Sequence, residues 1–63
     1  MNKIEKNIVR KYVERMYVLR DAHNVRIMRD GSVTFSVTYH RKKSTGALFA
    51  GYADELLIMA TAN

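Results

Sequence analysis

The sequence predicts an α+β fold with the element order α-β-β-β-α. It reads as a long N-terminal amphipathic helix packed on a three-stranded antiparallel sheet, followed by a short C-terminal helix. Three observations carry this. Apolar residues recur at helical spacing over residues 3–21. Strict alternation runs from Val33 to Tyr39 behind an Asp30-Gly31 turn. A further apolar stretch beyond Ala47 is interrupted by Asp54-Glu55.

Residues 3–21 form the first element. At 100° per residue, Ile8, Val9, Tyr12, Val13, Met16 and Leu19 share one arc. Lys3, Lys6, Arg10, Lys11 and Glu14 gather on the other side. Asn2 suits an N-cap, and Glu5, three residues later, completes a capping box. Tyr17 and Val18 break the pattern and need a second packing partner or water. Asp21 to Asn24 end the helix, and His23 belongs to that end, where a cation suits the dipole.

Val25 to Met28 and Val33 to Tyr39 read as two strands of a hairpin. A two-residue turn would split the apolar residues between the two faces. A three-residue loop, Arg29-Asp30-Gly31 with Gly31 left-handed, pairs Ile27 with Val33 and Val25 with Phe35. That register puts all four on one face, so it is preferred. His40 to Gly46 follows as a basic loop, and Ala47 to Tyr52 as a third strand. Asp54 is placed to cap a helix over residues 55–62. A fourth strand through Leu56-Leu57-Ile58-Met59 stays open, because a short apolar run does not reveal its period.

The 63 residues make one small basic domain, with eleven Lys or Arg against six Asp or Glu and a formal charge of +5. A chain this short buries only about 60% of its unfolded surface. The absence of Cys removes disulfides and thiolate metal sites, so self-association, as a homodimer, is the remaining support to expect. Two His residues are too few for a closed zinc site without carboxylates, and no metal or cofactor is expected. The start of the chain does not read as a signal peptide, and no apolar run approaches the ~20 residues of a membrane span. The expected compartment is the cytoplasm of a bacterium or phage-infected host.

The sharpest candidate site is the run Arg41, Lys42 and Lys43, with Ser44 beside it as a further donor to phosphates. Arg26 and Arg29 on the hairpin, and Lys6 and Arg10 on the helix, extend the footprint. The same residues also suit a plain solvated surface, in which Lys and Arg block edge pairing. Tyr17 and Val18 are candidate interface residues. Enzyme signatures are thin: Asp54 and Glu55 diverge on a helix, and Lys43-Ser44-Thr45-Gly46 lacks the glycine order of a phosphate loop.

The element order at this length resembles that of the double-stranded RNA-binding domain. Such domains recognise A-form shape with basic residues at the start of the last helix. Here that position reads Ala53-Asp54-Glu55-Leu56, which argues against a standard member. The expected function is therefore a small non-enzymatic nucleic-acid-binding or regulatory protein, with DNA favoured over RNA. The alternative is an accessory or inhibitory protein of phage type that docks on an acidic surface of a larger host protein. A third reading is a homo-oligomer assembled through Leu56 to Met59.

Overall fold

A computed structural model describes residues 1–39, 42–43 and 46–62 of the chain, with only the backbone of Tyr39, Lys42 and Lys43. Helix α1 spans Lys3–Met16 and a 3-10 turn spans Val18–Arg20. Strands β1 (His23–Ile27), β2 (Ser32–Ser36), β3 (Thr38–Tyr39), β4 (Lys42–Lys43) and β5 (Leu48–Tyr52) follow, and helix α2 (Ala53–Thr61) ends the fold. Strands β1, β2 and β5 form an antiparallel sheet in the order β1-β2-β5, so the α-β-β-β-α order holds. The expected second strand, Val33 to Tyr39, is interrupted at Val37: its last two residues form β3, which pairs with β4, inside the segment expected to be a loop, as a separate two-stranded ribbon.

The capping box forms as the sequence predicts. The Asn2 side chain accepts from the Glu5 amide at 2.8 Å, and the Glu5 carboxylate accepts from the Asn2 amide at 3.1 Å. Helix α1 stops five residues before the expected end at Asp21. The physical reason is Tyr17. A continued helix would aim its ring off the apolar arc; the break instead lets it stack on Phe35, with centroids 4.5 Å apart. The cost falls on Leu19, expected in the apolar arc, which the 3-10 turn leaves 99% exposed.

His23 is the first residue of β1 rather than the end of the helix. Its ring Nδ1 lies 2.9 Å from the Asp21 carbonyl, which accepts the hydrogen bond. The hairpin loop is Arg29-Asp30-Gly31, with Gly31 at φ 89° as the three-residue loop demands. The Met28 amide donates to the Ser32 carbonyl at 2.8 Å and closes it. Ile27 lies opposite Val33 in the preferred register, and Arg26 opposite Thr34. Between Arg26 and His23 the register shifts by one residue, with Asn24 left-handed at φ 53°.

Val9 and Val13 of α1, Ala53 and Leu56 of α2, and Val25, Val33, Phe35 and Val37 are the buried apolar residues of one core. Both helices therefore cover the same sheet face. The other face, carrying Arg26, Thr34 and Ser32, has no helix on it. Residues 53–61 are helical, which decides against a fourth strand. Asp54 does not cap this helix: Tyr52 occupies the N-cap position, and the Ala53 amide donates to the Gly31 carbonyl at 2.7 Å.

Strand β5 contains a second bulge. Gly51 lies opposite Val33 but Phe49 lies opposite Thr34, so Ala50 is an extra residue on β5. Gly51 sits at φ 132°, a region essentially closed to side chains. A Cβ there would meet Leu56 Cγ at 3.7 Å, an ordinary contact, so the constraint is the backbone and not space. Gly51→Ala is expected to lower unfolding stability by about 1–3 kcal/mol, measured from urea denaturation midpoints; an unchanged midpoint would show that the bulge relaxes freely.

Candidate functional site

Charge is distributed unevenly over the described residues. At the hairpin end an open groove of about 890 Å³ lies between the start of α1, the β1–β2 loop and the start of α2. Its lining includes Glu5, Asp30, Asp54 and Glu55, together with Lys6 and Arg29. Four of the six carboxylates of the chain thus surround two of its eleven cations. Lys6 and Arg29, both candidate phosphate contacts, share this groove with twice their number of carboxylates. Only Glu14 and Asp21 remain elsewhere.

The opposite end of the sheet differs. His23, which follows the 3-10 turn, pairs with Ser36 at the end of β2, so α1 finishes at this end. Exposed Arg15 and Arg20 lie on that last turn and on the 3-10 turn after it. From Ser36 the chain passes through buried Val37 into the β3–β4 ribbon, where Thr38 pairs with Lys43 and Tyr39 with Lys42. Lys42 and Lys43 therefore belong to a paired strand that springs from the end of β2 remote from the acidic groove. Arg41 and Ser44 lie outside the described residues.

Arg10 and Arg26, both exposed, are not brought together. Arg10 lies on α1, and Arg26 on the sheet face turned away from the helices, with the body of the molecule between them. Of the two interface candidates, Tyr17 is half-buried against Phe35 while Val18 is 69% exposed. Beside Val18, Leu19 adds a second apolar side chain in water.

The helix-free sheet face carries one feature that strand alternation alone would miss. In an unbroken strand Phe49 and Tyr52, three residues apart, would point to opposite faces. The extra residue at Ala50 reverses the alternation, so Phe49 lies opposite Thr34 and Tyr52 opposite Ser32 on the same outer face. Their rings meet edge to face, 5.4 Å apart and inclined by 75°. They are 59% and 47% exposed. Arg26 pairs with Thr34 on its other side, which completes a row Arg26–Thr34–Phe49 across three strands.

Among the described residues, no group of three or more His, Asp or Glu side chains is placed to hold a metal ion. No helix among them is long and apolar enough to cross a membrane. No protein-family model, curated protein or solved structure matches the chain. The likeness to the double-stranded RNA-binding domain therefore stands on element order alone.

Within the acidic groove Asp30 is already engaged. The Ser32 hydroxyl donates to its carboxylate at 2.6 Å and the Ser32 amide at 2.9 Å. The hydroxyl first, then the amide, holds the Asp30 carboxyl below its ordinary value of 3.8. A depressed folded value contributes stability that is present above the unfolded value and lost as pH falls through the folded one. Asp30→Ala is thus expected to lower the thermal midpoint at neutral pH, with the gap to the unaltered chain closing on acidification below about 3.8. A gap independent of pH would show that the hydroxyl bond does not act on the carboxylate.

Proposed function

We propose that this chain is a small non-enzymatic nucleic-acid-binding protein that contacts phosphates electrostatically through its basic segment. The observation that supports the reading best is the segregation of charge. Four carboxylates cluster at the hairpin end, while Arg15, Arg20 and the strand Lys42–Lys43 belong to the other end, with only Glu14 and Asp21 as carboxylates outside the groove. A net charge spread evenly would favour only loose association. A charge collected at one end attracts a polyanion with a preferred orientation.

The Arg41, Lys42 and Lys43 run supplies the central contacts, and Arg26 extends them along the sheet. No side chain stands out as a reader of base edges, so weak or shape-driven sequence specificity is expected. Replacing Arg41, Lys42 and Lys43 together by Gln is expected to weaken binding for every sequence. It is also expected to reduce the slope of log affinity against log salt by about 2–3, close to one unit for each phosphate no longer neutralised. Fluorescence-anisotropy titrations at several salt concentrations measure both. An unchanged slope in the triple variant removes this segment from the account.

A second reading is favoured by a specific feature. Val18 and Leu19 stand 69% and 99% exposed next to the basic end. That combination suits a protein that uses charge for steering and two apolar side chains for anchoring on an acidic partner surface. The double variant Val18→Ser, Leu19→Ser separates the readings. Nucleic-acid affinity within about twofold of the original is expected if the basic segment alone carries function, since surface changes of this kind move stability little. Loss of a partner-dependent phenotype in that variant, with nucleic-acid affinity intact, would support protein docking.

A further inference from the structure

From the outer sheet face we infer that the ligand is single-stranded nucleic acid, its bases stacked on Phe49 and Tyr52. The inference rests on the proposed nucleic-acid-binding function and names which form of the polymer is bound. Two aromatic rings on a face without a helix, 59% and 47% exposed, leave apolar surface in water that no described part of the chain covers. An aliphatic patch would suit any apolar partner. Aromatic rings beside an arginine suit a nucleotide, which presents a π face at one end and a phosphate at the other.

The layout matches that chemistry. Arg26, Thr34 and Phe49 lie in one row across β1, β2 and β5. Two strand spacings separate Arg26 from Phe49, roughly 10 Å, a gap that the arginine side chain and a nucleotide close from opposite sides. Thr34 lies between, with a hydroxyl suited to sugar or phosphate oxygens. The two rings meet at 75° and form a corner, so each offers its own free surface to a different base.

The carboxylates set the polarity. Tyr52 borders the groove that holds Asp54 and Glu55, which repel phosphates. The sugar–phosphate backbone is therefore directed away from that end, past Arg26 and toward the β3–β4 ribbon. Duplex does not satisfy this site. Its bases are stacked on one another and expose only their edges in the grooves.

The test compares a twelve-residue thymidine oligonucleotide, its uridine equivalent and a blunt DNA duplex at near-physiological salt. Phe49→Leu is the main variant and Tyr52→Leu the second. Both residues are substantially exposed, and leucine keeps apolar contact while removing the π face. Circular dichroism confirms that the variants fold; if either fails, ring-proton shifts of Phe49 and Tyr52 in the unaltered chain on titration replace it. The expected result is tighter binding of the single strands than of the duplex, with each variant losing about 5- to 150-fold in single-strand affinity. Equal binding of all three polymers with no effect of either variant, or no ring-proton shifts, overturns stacking but leaves the electrostatic function standing. No binding of any polymer overturns both. A dimer that Phe49→Leu converts to monomer, with oligonucleotide affinity unchanged, assigns the face to a second copy and overturns the inference.

Discussion

The arrangement of this molecule depends on one extra residue in its last strand. The bulge at Ala50 lets β5 follow β2 on both sides of a change in alternation, and Gly51 accommodates it at φ 132°. The next residue after β5 begins α2, whose Ala53 amide is tied to Gly31 in the hairpin loop. Leu56 then lies against Gly51 and fills the centre of the core. Strand end, helix start and hairpin loop are thereby held by a single local distortion. The same distortion puts Phe49 and Tyr52 on one face, so the packing of the core and the character of the outer surface are set together.

The core itself is small. Among the described residues eight are buried, five of them valine, with Phe35 and Leu56 the largest. So little volume makes each aromatic contact matter, and the chain ends its long helix early to gain one. The sacrifice is visible at Leu19, which would have shared the buried arc of a longer helix. Stacking Tyr17 on Phe35 adds apolar burial and ring contact where the sheet needs cover, while one leucine is left in water. Competition between local helical preference and tertiary packing thus decides the end of α1.

What the sequence disclosed follows the same division. The hairpin was legible because its register is fixed by two strong signals: alternation in Val33 to Val37, and a glycine at the one loop position needing a left-handed backbone. The N-cap of α1 was legible because Asn2 and Glu5 act within four residues. Features decided by distant contacts were not. The end of α1 depends on Phe35, eighteen residues beyond Tyr17. The start of α2 falls at Ala53, whose amide donates to a carbonyl of the hairpin, one residue before Asp54, whose carboxylate accepts from the Glu55 amide. The pairing of Phe49 with Tyr52 was hidden because alternation assumes an unbroken strand, and only the glycine at position 51 gave a hint of the bulge. Among the candidate cations, chain position could not show that Lys6 and Arg29 fold into the company of four carboxylates.

Charge segregation and the aromatic face place different demands on a ligand, and together they narrow it. The basic end supplies attraction that acts over a Debye length and weakens with salt. Such a field is indifferent to whether a polyanion is paired or single. The aromatic corner acts only at contact and depends on a free base face, so it discriminates where the charges do not. For a polyanion of the proposed kind the acidic groove would act by exclusion, since it would deny the phosphates one direction along the sheet. Under the proposed function a small protein would in this way choose among polymers of equal charge: long-range attraction would bring the polymer to one end, and two rings turned outward by a single bulge would select the form that can lie flat.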